Sequence, residues 1–254
     1  MTNMARQQVL IAGGGIGGLA AAMACTQIGV PVQLLERASK LSEVGAGIQI
    51  GPNVTRILQA WGLGEALAQV AAFPKQLQAR DAQTGQVLGT LPLGKRAQSL
   101  YGAPYATIHR ADLQGLLHRA AQSVGVNIRL GQTVQGWRDT ADGLEVSTAE
   151  NSSLQAGALI GADGVWSAVR QQLLSDAPAR FTGHLAYRAL VAQTDLPAHL
   201  RSDQVTVWMG PRLHVVHYPM RSGQWLNLVA IVHGAKRSCK SRPTAPMACI
   251  SAWV

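Results

Sequence analysis

"RQQVLIAGGGIGGLAAAMACTQIGVPVQLLER", residues 6–37, decides the fold. "QVLIAG" is a short apolar run of the kind buried inside a parallel sheet. The chain then carries G-x-G-x-x-G as Gly13, Gly15 and Gly18. The first glycine permits a tight turn. The second lets backbone approach a pyrophosphate, and the third lets the following helix pack closely on the strand. An Ala-rich helix follows, and its N-terminus offers free N–H groups and a positive dipole end to phosphates. The second strand, "PVQLLE", closes on Glu36, whose carboxylate can accept from the ribose hydroxyls of an adenosine. A bare glycine triplet is weak evidence. Strand, loop, helix, strand and terminal acid in this order make a dinucleotide-binding βαβ unit. Arg37 can be read as a clamp for a 2′-phosphate, but Glu36 would repel that group, so Arg37 reads as solvated.

Composition narrows the class. The chain has 254 residues, 47% of them hydrophobic, enough for one large or two small cores. No apolar run reaches the length of a membrane span. "MTNMARQQVL" enters a strand with no signal-peptide pattern, which makes the cytoplasm the expected location. Three cysteines are too few for a disulfide framework and have no metal-ligand spacing, so no metal is expected. Cys25 reads as a small core residue. The net charge of +9 comes from scattered basic residues without a helix-turn-helix, RNA-binding or zinc-finger signature, so no nucleic-acid partner is expected.

After the βαβ unit the chain departs from a nicotinamide-dependent dehydrogenase. Such a protein would proceed to a third βα unit within the first hundred residues. Here "SEVGAGIQIGPNVTRILQAWGL" (42–63) inserts Gly45, Gly47 and Gly51 in a nearly uncharged loop that can lie flat against a large planar ring. A helix follows, with Ile57, Leu58 and Trp61 at helical spacing. Residues 125–160 read as strands, with a hairpin at Asp142-Gly143. "LQAGALIGADGVWSAVR" (154–170) then gives a strand, a turn and a helix starting near Ser167. Asp163 and Gly164 sit at the carboxyl end of that strand, where α/β sheets bind ligands. Asp163 can accept from polyol hydroxyls or cap the helix, and Arg170 can reach an anion.

"GGGIGG" with "LLER", "HRADLQGLL" (109–117) and "GADGVWSAVR" (161–170) together resemble the class A, single-component FAD-dependent aromatic hydroxylases. The resemblance implies an α/β fold. A Rossmann-type, GR2-like FAD-binding domain is interleaved with a mostly antiparallel substrate-binding sheet. Expected boundaries are 1–78 and 102–176 for the FAD domain, and 79–101 and 177–234 for the sheet domain. It implies that Gly13, Gly15, Gly18 and Glu36 hold the AMP half of FAD. Ala46 and Gly47 approach the isoalloxazine, and Arg110 reaches the phosphate and ribityl region. Val134 lays backbone beside the adenine, and Asp163 and Gly164 serve the ribityl side and NAD(P)H. Two glycine turns thus serve one long cofactor, with NADH or NADPH as a transient co-substrate.

The substrate side reads as alternating strands: "HLAYRALVAQ", "QVTVWMGP", "RLHVVHYPM" and "WLNLVAIVHG", joined by "LQARDAQTGQVLGTLPL" (77–93). In "RLHVVHYP" the period of two points His214, Val216 and Tyr218 one way, and Leu213, Val215 and His217 the other. A face with one His, one Val and one Tyr is a wall for a small aromatic ring, and at least one of the two histidines is an ordinary sheet residue. This region resembles the 3-hydroxybenzoate 6-hydroxylase and salicylate hydroxylase branch. That resemblance implies that His214 activates the substrate phenol and Tyr218 lines the pocket. It also implies hydroxylation of a small aromatic acid with O2, through a flavin C4a-hydroperoxide.

"AKRSCKSRPTAPMACISAWV" (235–254) differs from all of this. It carries four basic residues, two of the cysteines and no acid. It shows neither strand alternation nor helical period, and reads as an out-of-frame or spliced basic tail. By this reading the resemblance ends at residue 234 and the family's later flavin-gripping motif is missing. A truncated, inactive fragment is therefore the alternative to a working hydroxylase.

Overall fold

Val9–Ala12 is apolar at every position, and a strand with that pattern must be covered on both faces. Leu10, Ile11 and Ala12 are indeed buried to within 1% of full coverage. A computed structural model of the chain describes residues 8–41, 46–175 and 179–234, together with the backbone of 248–253. The chain divides into two compact units, Met1–Glu43 with Gln114–Ala179, and Val44–Leu113 with Arg180–Val254.

The first unit starts with β1 (Val9–Ala12), α1 (Ile16–Gln27) and β2 (Val32–Glu36). The second unit follows with β3 (Gly47–Ile50), α2 (Pro52–Ala60), α3 (Gly64–Val70), β4 (Ala71–Ala72), β5 (Gln76–Asp81), β6 (Val87–Pro92), α4 (Gly94–Tyr101) and β7 (Ala106–His109). Helix α5 (Arg110–Ser123) leads back to the first unit, where β8 (Asn127–Leu130), β9 (Val134–Thr140), β10 (Gly143–Thr148), β11 (Ser153–Ala156), β12 (Ala158–Gly161) and α6 (Ala168–Leu174) complete it. The second unit ends with β13 (Phe181–Ala192), β14 (Val205–Gly210), β15 (Leu213–Met220), β16 (Trp225–His233) and β17 (Ala248–Trp253).

In the first unit β12, β1, β2 and β8 form a parallel sheet in that order. The strands β11, β10 and β9 form a separate antiparallel sheet. Leu10, Ala12, Leu35, Val134, Val146, Ala156 and Val169 close one core between them. Each such Leu or Val contributes roughly 1.5–3 kcal/mol on burial. The stretch 153–161 reads as one apolar strand in the sequence, but the structure divides it at Gly157. The Gly157 N–H turns to the Gln8 carbonyl at 2.9 Å, so β11 serves one sheet and β12 the other.

In the second unit a seven-stranded sheet runs β17-β13-β16-β15-β14-β5-β6, antiparallel except where β14 meets β5. A small sheet, β3-β7-β4, accompanies it. Three sequence expectations change here. Gly47–Ile50, read as loop, is a strand, because the backbone of β7 satisfies its N–H and carbonyl groups from Gly47↔His109 to Ile50↔Ala106. On α2 the buried side is Thr55 and Leu58, while Ile57 is 48% exposed. Ala248–Trp253 has strand backbone despite the absence of a clear alternating pattern. The edge of β13 left open by β16 offers backbone N–H and carbonyl groups, and β17 pairs with them, a match that needs no particular side-chain pattern.

Candidate functional site

The glycine loop of the first unit is shaped by what its Cα atoms face. Gly13 has φ +105, and a Cβ there would run into the Ala162 carbonyl. A Cβ on Gly18 would run into the Gly13 carbonyl. These two glycines are required by the fold. At Gly15 and Gly17 a Cβ would meet nothing within 4 Å. The first turn of α1, with Gly15 as its N-cap, is therefore open on the side a phosphate approaches. The Glu36 carboxylate closes the loop: one oxygen accepts the Gly14 N–H at 2.6 Å and the other the Ala38 N–H at 2.8 Å. Each oxygen keeps a lone pair for a ribose hydroxyl. Buried Gln114 donates to the Gly14 carbonyl at 3.1 Å. The sequence reading passed over Gln114. The only signal for it was a polar residue beside the buried Leu113 on α5. This open cradle with its dipole end and carboxylate fits the pyrophosphate-and-ribose half of FAD.

The second glycine–acid turn lies in the same unit. Asp163 accepts the Ser167 hydroxyl at 2.5 Å on one oxygen, and the Ala168 and Val169 N–H groups at 2.8 and 3.3 Å on the other. It thus caps α6 along with Ser167, which accepts the Arg170 N–H at 2.9 Å. Gly164 is exposed, with φ +83 and open space around its Cα. Arg170 donates through Nη2 to the Val165 carbonyl at 2.9 Å. Val134 opens β9 with its side chain in the core, opposite Thr148.

The remaining candidates lie in the second unit. The Ala46 carbonyl accepts the Arg110 N–H at 3.0 Å, and the Arg110 side chain is exposed at the start of α5. The Gly47 N–H donates to Asn227 Oδ1 at 2.9 Å. A Cβ on Gly47 would stand 2.5 Å from Met220 Sδ, 2.6 Å from Tyr218 Cε2 and 2.9 Å from Asn227 Cγ. Further ties hold the end of β15 to the small sheet and to the start of α5. Buried Thr107 donates to the Pro219 carbonyl at 2.5 Å, and Arg221 grips Asp112 with two bonds of 2.8 and 3.0 Å. Asn227 and Thr107 were not singled out in the sequence, since a lone polar residue within an apolar strand carries no pattern.

His214 and Tyr218 share a face of β15 but differ in surroundings. Tyr218 is only 3% exposed, packed with Val205 and Met220 beside Tyr105, Leu190 and Val216. Burial raises its phenol's pKa well above the ordinary value. Tyr105 bonds the Gln49 side chain through its hydroxyl, and burial raises its pKa to about 12. His214 is exposed and lines an open hollow of about 420 Å³ with His184, Val207, Met209, Arg212, Leu213 and Ile231, Arg212 belonging to the turn before β15. His217 points to the opposite face, stacked on Trp208 with ring centroids 6.4 Å apart. Its pKa is lowered, first by burial and then by the charge of Arg80. Among the described residues no group of three His, Cys, Asp or Glu side chains is arranged to hold a metal ion. Among the same residues no helix is long and apolar enough to cross a membrane.

A family model described as "FAD binding domain" matches residues 6–251, past the limit at 234 that the motifs suggested. The chain is 40% identical over 222 residues to 3-hydroxybenzoate 6-hydroxylase 1 of Aquipseudomonas alcaligenes, covering 87% of this chain and 56% of that protein. It is 41% identical over 231 residues to the 3-hydroxybenzoate 6-hydroxylase of Klebsiella oxytoca, covering 91% of this chain and 58% of that protein. The chain therefore spans a little over half the length of these curated relatives. Among solved structures it is similar to Klebsiella pneumoniae HpxO complexed with FAD and uric acid. That likeness has a TM-score of 0.80 at 25% identity and covers 94% of this chain and 60% of that one.

Proposed function

The chain belongs to the FAD-binding-domain family of class A flavoprotein monooxygenases, and from that premise we propose that it hydroxylates a phenolic aromatic acid, 3-hydroxybenzoate- or salicylate-like, with NAD(P)H and O2. The observation that carries this reading is the β15 face. An exposed imidazole at His214 and a buried phenol at Tyr218 flank Val216, beside a hollow of about 420 Å³.

FAD, when bound, accepts hydride from NAD(P)H and activates O2. The residues of the chain do the rest. Gly13, Gly15, Gly18 and Glu36 receive the AMP half, and Ala46 and Gly47 offer backbone to the ring. Arg110, Asp163 and Gly164 serve the phosphate, ribityl and nicotinamide side, with the Val134 backbone beside the adenine. His214 takes the phenolic proton of the substrate. A phenolate ring is a far stronger nucleophile than a phenol ring, so this transfer sets the reactivity of the acceptor carbon. Tyr218 bounds the ring, and Val207, Val216, Met209 and Ile231 keep water from it.

The test is the fate of electrons in His214→Gln. The FAD-saturated chain and the variant are given NADH or NADPH with 3-hydroxybenzoate or salicylate, and hydroxylated product is counted against nucleotide oxidised. The reading expects product per nucleotide to fall by tenfold or more, with flavin reduction changed far less. Unchanged coupling in the variant removes His214 from the role of base. Absence of product from the parent chain with either acid removes the hydroxylase reading.

A further inference from the structure

The registers of the large sheet place one more functional group on the His214 face. Arg188 of β13 stands opposite Val229 of β16, and Val229 stands opposite Val216 of β15. Arg188 therefore projects from the same face as His214, Val216, Tyr218 and Asn227. Among the described strand residues on that face it is the sole Lys or Arg. Its neighbours in register are Val229 and Val216, with Ala186 and Leu190 two residues to either side. Ala186 pairs with Ile231, which lines the hollow beside His214. The positive charge of Arg188 lies close enough to the Tyr218 phenol to favour its ionised form, against the larger opposing effect of burial.

The arginine Nε is buried and has no hydrogen-bond partner. No carboxylate among the described strand residues of β13, β15 and β16 faces it; the titratable side chains there are His184, His214, His233 and Tyr218. A guanidinium stays charged, and leaving its Nε–H buried and unmatched is costly. A planar carboxylate matches its fork with two parallel bonds. Two strand spacings across and two residues along separate Arg188 from His214, roughly 12 Å between Cα atoms. Two long side chains can bridge that span through one aromatic ring bearing a carboxylate and a hydroxyl.

We propose that Arg188 is the carboxylate anchor of the substrate pocket, holding the acid group of an aromatic acid so that its phenol meets His214. The inference rests on the phenolic-acid reading above and adds the residue that selects an acid over a neutral phenol.

The test is calorimetric titration of the FAD-saturated chain with 3-hydroxybenzoate and with 3-hydroxybenzyl alcohol, which lacks the carboxylate. The parent is expected to prefer the acid by about tenfold or more, the worth of a charge-assisted hydrogen-bond pair. Arg188→Met, similar in length and without an unmatched donor, is expected to abolish that preference while binding the alcohol within about twofold of the parent. Arg188→Lys keeps the charge without the fork and is expected to fall between them. Retention of the full acid preference in the Met variant overturns the anchor. Equal binding of acid and alcohol by the parent also overturns it, while leaving the pocket standing. Binding of neither ligand by the parent overturns the phenolic-acid reading, and the anchor falls with it. If the Met variant does not fold, the Lys variant decides: an acid preference equal to the parent's overturns the fork.

Discussion

Asn227 Oδ1 accepts the Gly47 N–H at 2.9 Å although 180 residues separate the two in sequence. Asn227 is 1% exposed, and its other side-chain atom, Nδ2, has no partner in the protein. The bond pins the start of β3 to the strand that pairs with Tyr218. Replacing Asn227 by Leu leaves a buried N–H unsatisfied at Gly47, which costs about 1–3 kcal/mol. Urea denaturation is expected to show a lowered midpoint for Asn227→Leu. A midpoint within error of the parent's would mean that Gly47 finds another acceptor.

Gly17 and Gly18 are adjacent and make opposite predictions. A Cβ at Gly18 meets the Gly13 carbonyl, which is backbone and cannot step aside, whereas a Cβ at Gly17 meets open space. Gly18→Ala is expected to strain the loop by about 1–3 kcal/mol and to weaken FAD retention by tenfold or more. Gly17→Ala is expected to leave the folding midpoint near that of the parent. Flavin absorbance after gel filtration, beside an unfolding curve, separates the two variants. Equal losses in both would show that the loop yields more readily than its packing implies.

Much of this was legible in residues with a strict local pattern. The β1–α1–β2 unit follows from an apolar run, three glycines and Glu36, because each of those features is needed locally for the turn and the phosphate approach. The large sheet follows from period-two alternation in 184–233. Residues whose meaning depends on distant partners were not legible. Asn227, Gln114 and Arg188 are each one polar side chain in an otherwise ordinary strand or helix. Only long-range hydrogen bonds show that Asn227 reaches Gly47 and that Gln114 holds Gly14, and only the strand registers show that Arg188 shares the His214 face. Gly157 dividing two strands, and β17 pairing along β13, likewise depend on where free edges fall rather than on local propensity.

Asp163 spends its carboxylate on α6, accepting from Ser167, Ala168 and Val169. Loss of such a cap costs roughly 0.5–2 kcal/mol, so Asp163→Ala is expected to lower the thermal midpoint. Asp163→Asn keeps one acceptor oxygen and is expected to recover part of that loss. A cofactor role adds a second signature. The Asn variant then loses FAD or NADH affinity out of proportion to its small change in stability. Stability and affinity falling in step across both variants would reduce Asp163 to a helix cap.

His217 gives the fold a dependence on acid. Burial, aided by the charge of Arg80, holds its pKa below the ordinary value of 6.5, so the folded state favours the neutral ring. Arg80 itself sits over the Trp208 ring, 5.5 Å from its centroid, and keeps its charge near the imidazole. The unfolded chain takes up the proton near pH 6.5, whereas the folded chain resists it until lower pH. Between those values the unfolded state binds more protons, so the stabilising contribution is present above pH 6.5 and is lost as pH falls through the folded pKa. His217→Phe keeps an aromatic ring against Trp208 and removes the titration. Urea midpoints at pH 7.5, 6.5 and 5.5 are expected to show the parent losing stability relative to the Phe variant as the solution is acidified. Parallel midpoints for the two proteins across that range would mean that His217 takes up its proton as readily folded as unfolded.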